Sequence, residues 1–262
     1  MSREMTRAAR RRQAKEDEKL LAGGLDPESS NPEPTAAMAR MLCTMFEKAK
    51  LEKNINAPVI FLYAKAYATL RRLQDIPVAC QKGCSHCCYT WVSASAPEIL
   101  FIANIIRQRS GNLAARVAAA HLNTKDYDFD ARGKHPHPCP LLEQDVCSIY
   151  ELRPLTCRFA ASANAEICAR SYHNLSSENI PTPLTHLTGR NAYAIAIASA
   201  LKRANLPYHA YEFNAGLARA LEIGDAEGVW LAGEDIFSDV MRDPVDIFSQ
   251  HPAHLMYQHA FG

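Results

Sequence analysis

The stretch Cys80-Gln-Lys-Gly-Cys84-Ser-His-Cys87-Cys88 places four of the chain's nine cysteines within nine residues. Thiols crowded this closely must cross-link, bind metal or do redox chemistry. Disulfides fit badly, because a bridge across the short Cys84–Cys87 loop is strained and adjacent Cys87 and Cys88 cannot pair without distortion. Metal is the natural reading. In Cys84-Ser-His-Cys87 the two-residue gap lets a tight turn aim both thiolates at one ion. Gly83 can take the positive φ that brings backbone N–H groups towards sulfur.

Fifty residues further on comes Cys139-Pro-Leu-Leu-Glu-Gln-Asp-Val-Cys147-Ser-Ile-Tyr-Glu-Leu-Arg153-Pro-Leu-Thr-Cys157-Arg158. Together the two halves resemble the YkgJ-type cysteine-cluster family, whose shared domain is described as zinc- or iron-chelating. The family's first signature, a short cysteine run ending in a Cys-Cys pair, is matched by Cys80, Cys84, Cys87 and Cys88. Its second is matched by Cys139, Pro140, Leu142, Cys147, Ile149, Tyr150, Arg153, Pro154, Cys157 and Arg158. The first gap departs from the pattern: three residues separate Cys80 from Cys84, where many members have two. The resemblance implies zinc or iron held by Cys80, Cys84, Cys87, Cys88, Cys139, Cys147 and Cys157. Arg153 and Arg158 flank the last cysteine and are expected to face the bound group, since a metal with four thiolates carries negative charge that guanidinium groups offset.

Four thiolates suffice for one zinc or one four-iron cluster. Seven motif cysteines and nearby Cys168 therefore mean either that some are not ligands or that there are two sites. Cys87 and Cys88 are expected to point in different directions. The simplest arrangement takes Cys84, Cys87 or Cys88, Cys147 and Cys157 for one ion, and leaves Cys80, Cys139 and Cys168 as spare ligands or a second site. An iron–sulfur cluster or iron is the expected occupant, because so many sulfurs exceed what one structural zinc requires; zinc is the alternative. The cysteine signature also resembles that of the flagellin lysine-N-methylase group, which implies a four-iron cluster and a cluster-dependent enzyme such as a methyltransferase as one alternative role. A structural zinc module for protein interaction is another. No catalytic residue is named by the sequence. The spacing of Cys80, Cys84 and Cys87 is also that of radical S-adenosylmethionine enzymes, but those need repeated β/α units, and helices dominate here. His86, His135 and His137 lie beside the cysteines, where an exposed loop histidine is the more frequent case.

A net charge of +1 gives no case for nucleic acid. No apolar run approaches the ~18 residues of a membrane helix, and no secretory signal is visible, so the cytoplasm is the expected location. No protein partner can be read. Residues 1–35 contain no aromatic residue and carry fourteen charges, seven of each sign. They read as a disordered tail with nothing to bury, whose removal should leave the fold intact.

Beyond the tail, residues 36–262 read as one mainly α domain with the cysteine region, 80–168, gathered from loops. Helices are expected over 36–53, capped by Thr35 and carrying Cys43 as packing, and over 58–73, the pair forming a hairpin. Ser95 and Glu98 form a capping box ahead of Ile99, and 113–122 continues as helix. Residues 125–140 read as a loop, 165–172 as a helical turn or two, and 189–204, 208–223 and 227–237 as helices.

Overall fold

The computed structural model describes residues 6–109, 111–173 and 178–262. Alanine-rich amphipathic stretches fold into twelve α-helices among these residues, so the mainly α expectation holds. They are α1 (Arg7–Leu20), α2 (Glu33–Glu52), α3 (Asn56–Arg72), α4 (Ala96–Gln108), α5 (Leu113–Thr124), α6 (Phe129–Lys134), α7 (Leu155–Phe159), α8 (Ala165–His173), α9 (Leu184–Arg203), α10 (Phe213–Glu222), α11 (Ala226–Leu231) and α12 (His251–Phe261). Two short antiparallel ladders join them: β1 (Ser93–Ser95) with β4 (Ala210–Glu212), and β2 (Leu142–Glu143) with β3 (Val146–Cys147).

The centre of the molecule is the packing of α2 on α9. Ala36, Ala37 and Ala39 of α2 and Ala196 and Ala200 of α9 are fully buried, and such small side chains let two helix axes approach closely. The expected α2–α3 hairpin forms, but α2 has its larger interface with α9, a pairing of helices far apart in sequence. Around this pair, α1 and α12 cover α2, while α7 leans on α9. A second layer packs α4 on α10, where a side chain at Gly216 would meet Ile99 at 2.7 Å.

The disordered tail expected over residues 1–35 does not hold for residues 6–35; residues 1–5 lie outside the described residues. Thr6 caps α1 through its hydroxyl, which accepts from the Ala9 N–H at 3.2 Å. Leu21 and Leu25 are buried in the core. Gly24, at φ 75°, brings the chain so near α3 that a side chain there would meet Thr69 Oγ1 at 2.5 Å. Composition alone implies solvated charges. Instead Asp17 is buried, and Arg40 donates to it through Nε at 3.0 Å and Nη2 at 2.6 Å.

Other differences are local. Helix α2 starts before Thr35, which is buried inside it, and Asn31 Oδ1 accepts the Glu33 N–H at 3.0 Å. The loop expected at 125–140 contains α6, begun by Asp128, whose carboxylate accepts the Ala131 N–H at 2.8 Å. The stretch at 208–223 opens as strand β4 because its backbone pairs with β1 (Ser93 opposite Glu212) before α10 begins.

Candidate metal centre

The Ser95–Glu98 capping box forms as expected, and the structure gives it a second duty. Glu98 is buried; its Oε2 accepts from the Ser95 N–H at 3.1 Å and from the Ser95 hydroxyl at 2.6 Å. Its Oε1 accepts the Leu155 N–H at 2.7 Å, at the start of α7, the helix that carries Cys157. Thr156 Oγ1 donates to the Ser93 carbonyl at 2.7 Å, and Leu155 and Phe159 anchor the buried side of α7. Cys157 is thus placed by a carboxylate and a strand end some sixty residues earlier. Replacing Glu98 with Ala removes a helix cap and strands the buried Leu155 N–H. Each loss costs about 1–2 kcal/mol, so Glu98→Ala should lower the urea midpoint clearly, with Glu98→Gln intermediate. Equal midpoints for wild type and Glu98→Ala would show that Glu98 carries no such link.

The two halves of the cysteine pattern meet along three seams. In the first, the Cys139 N–H donates to the Cys88 carbonyl at 2.7 Å and the His137 N–H to the Tyr89 carbonyl at 3.0 Å. In the second, the Ala79 N–H donates to the Ser162 carbonyl at 2.7 Å, and the Ser162 N–H returns to Cys80 Sγ at 3.3 Å. In the third, the Ser85 hydroxyl donates to Asp145 Oδ1 at 3.0 Å. Asp145 and Gln144, at φ 61° and 49°, form the tight turn between β2 and β3, with both central residues left-handed as such a two-residue hairpin requires. That hairpin presents Cys147 opposite Leu142. Its turn escaped the sequence reading because Gln-Asp lacks the usual glycine.

Gly83 does take a positive φ, of 96°, but the N–H it redirects, that of Cys84, closes a turn on the Gln81 carbonyl at 3.0 Å rather than facing sulfur. Cys87 and Cys88 lie on the 3₁₀ turn His86–Tyr89. Successive side chains on a 3₁₀ turn are about 120° apart, so these neighbours leave it in different directions. The adjacent Cys88 thiol and then burial raise Cys87 far above the ordinary thiol range.

The thiols act on one another electrostatically in two overlapping groups that share Cys87. Burial raises Cys157 strongly, and the adjoining thiols of Cys87, Cys139 and Cys147 add to this while Arg153 opposes it. Burial pushes Cys139 up to about 12 against the Leu141 N–H, with Cys147 adding to the rise. Burial also raises Cys147, opposed by the Ile149 N–H and Arg153. The other group is Cys80, Cys84 and Cys168 with Cys87. Burial raises Cys80 against the Ser162 N–H, and Cys84, Cys87 and Cys168 raise it further. Buried Cys168 comes from α8, as does Tyr172, which burial and then Cys87, Cys168 and Cys80 push up to about 12. Cys43 stands apart on α2, packed against the core and raised to about 11 by burial.

The two arginines differ. The guanidinium of Arg153 lies 3.8 Å over the Tyr150 ring, and its Nε is buried without a partner. Arg158 donates through Nε to the Arg153 carbonyl at 2.8 Å and through Nη2 to the Glu151 carbonyl, and lies 4.2 Å over Tyr63. Arg158 therefore clamps the turn that carries Arg153. A third arginine escaped the sequence reading. Arg132 is buried and donates to the carbonyls of His135 at 3.1 Å, Thr90 at 3.4 Å and His137 at 3.5 Å, bracing the Cys88–Cys139 seam. A lone arginine in a polar loop gives no sequence signal of burial.

Among the described residues, no three His, Cys, Asp or Glu side chains are arranged as they stand to hold one ion. The donor set nevertheless fits a thiophilic metal: clustered sulfurs, the Ser162 N–H donating to Cys80, and an unpartnered guanidinium N–H.

Residues 79–175 match the CxxCxxCC family model. Its description is "Putative zinc- or iron-chelating domain". The comparisons with curated proteins and with solved structures returned no match. The CxxCxxCC segment begins at Ala79 and includes α8, so it takes in all three seams together with Cys168 and His173. Its zinc- or iron-chelating character supports metal binding by this chain. Among the described residues no helix is long and apolar enough to cross a membrane.

Proposed function

We propose that the chain holds an iron–sulfur cluster or iron on cysteine thiolates, with zinc as the alternative occupant. Cys87, Cys139, Cys147 and Cys157 would hold it, with Cys88 beside them and Cys80, Cys84 and Cys168 as the adjoining set. The observation that carries this reading is the buried, unpartnered Nε of Arg153 among those thiols. A buried donor without an acceptor is costly, and the negative charge of a thiolate-bound metal supplies an acceptor. When bound, an iron–sulfur cluster supplies one-electron exchange at the thiolates. The chain's own part is to fix the sulfurs through the three seams and to neutralise them with Arg153, which Arg158 holds in place.

Anaerobic purification followed by metal analysis and a visible spectrum tests the occupant. Cys84→Ser, Cys147→Ser and Cys157→Ser are each expected to lower bound metal and protein yield together, while Cys43→Ser leaves both near wild type. Equal metal content in all four variants would sink the assignment.

A further inference from the structure

His86 stands between Cys84 and Cys87, in the 3₁₀ turn, and His173 closes α8. Chain distance gives no hint that they meet, yet Nδ1 of His86 and Nε2 of His173 lie 3.0 Å apart, one ring N–H donating to the other ring's nitrogen, a hydrogen bond that an ion bound by both would replace. The rings are set edge to face, with centroids 5.2 Å apart, and Tyr89 packs against His173 at 4.8 Å, fixing its orientation. Two imidazole nitrogens bound to one tetrahedral zinc at ~2.0–2.1 Å each are themselves about 3.3 Å apart. The observed separation is within a few tenths of an ångström of that span. His173 is exposed and His86 half-buried, whereas the thiols are partly or wholly buried. The pair therefore stands on the boundary between water and sulfur, one residue from Cys87.

We propose that His86 and His173 form a surface capture site for a divalent transition-metal ion, which then passes to the thiols of Cys84 and Cys87, the cysteines on either side of His86 in sequence. The proposal rests on the metal-centre reading above. In the transfer, two metal–nitrogen bonds break as metal–sulfur bonds form, and each thiol that binds releases its proton to solvent. Neutral imidazole suits both zinc and ferrous iron, so the port serves either occupant.

The test mixes reduced, metal-free full-length protein in a stopped-flow instrument with Zn²⁺ held by a weak chromophoric chelator, and in parallel with Fe²⁺ without air. His86→Ala and His173→Ala are each expected to slow loading about tenfold, the scale on which groups beside a metal site act. The double variant should be no slower than either single, because one imidazole alone does not make the port. Final stoichiometry and the thermal midpoint of the loaded protein should stay at wild-type values. Wild-type loading rates in the double variant overturn the proposal. So does a lower final stoichiometry, which would make the histidines permanent ligands. Failure of the wild type to take up either metal is a separate result, and it removes the metal-centre reading itself.

Discussion

Stripping the metal under reducing conditions is expected to lower the thermal midpoint sharply and to open residues 125–158 to protease. The three seams explain why. They bring together residues 79–89, 137–147 and 162 through a few hydrogen bonds, among them those of Cys139 to Cys88, Ala79 to Ser162 and Ser85 to Asp145. The only regular structure that 137–162 contributes is the short β2–β3 hairpin, a 3₁₀ turn and the five-residue α7. Leu141, Ile149, Leu155 and Phe159 tie this region to the core, but the stretches between them are loop, and burying sulfurs that repel one another as thiolates adds to the cost. Structural metal sites contribute ~10–16 kcal/mol in small peptides at neutral pH, against a typical domain stability of ~5–15 kcal/mol. Even heavily discounted, loss of the metal matters as much as loss of much of the core. The α2–α9 core owes nothing to the sulfurs, so the segment from α2 through α3 should stay comparatively protected. Limited proteolysis read by mass spectrometry, beside calorimetry of loaded and stripped protein, checks both halves. Identical digestion patterns and midpoints would mean that no structural site bridges the clusters, and that the cysteines serve an exchangeable metal instead.

Deleting residues 1–34 should cost the protein its stability, the reverse of what composition implies. The deletion strips Leu21 and Leu25 from the core and removes both acidic partners of Arg40, Asp17 and Glu33. It also takes away the Leu25 carbonyl, which accepts from Thr69 Oγ1 at 3.0 Å, itself bonded to Tyr193 at 2.9 Å. The two leucines alone account for about 3–6 kcal/mol of burial. At ~2–4 °C per kcal/mol for a chain of this size, the midpoint should fall by roughly 10–20 °C, or the truncated chain should be insoluble. A finer arm is Leu25→Ala, which should cost about 2–5 kcal/mol as a buried truncation. A truncated protein with wild-type midpoint and helical signal would show that α1 is not part of the folded unit.

Much of the helical framework was legible because helix formation depends on neighbours three and four residues apart. The Ser95–Glu98 box and the helix over 58–73 follow from such local spacing, and the helix over 189–204 from its alanine density and its Lys202-Arg203 ending, although its alternating residues alone suggest a strand. The tail was misread because composition counts charges without seeing their partners: buried Asp17 accepts from Arg40, on another helix, and from Gln13. The β2–β3 turn and the buried Arg132 were invisible for the same kind of reason.

The sequence by itself determined that this chain is mainly helical and that two cysteine runs are its candidate metal ligands, since thiol spacing within a run is a local property of the backbone. Only the tertiary structure decided how the runs combine. It put Cys139 beside Cys88 and Cys80 beside Ser162, grouped Cys168 with Cys80, and brought His173 to His86. It also assigned Glu98 to the placement of Cys157 and left Arg153 with a free N–H among the thiols. Those contacts span tens of residues of chain. They exist because burying the α2–α9 and α4–α10 faces fixes where each connecting loop begins and ends, and no spacing within one segment encodes that.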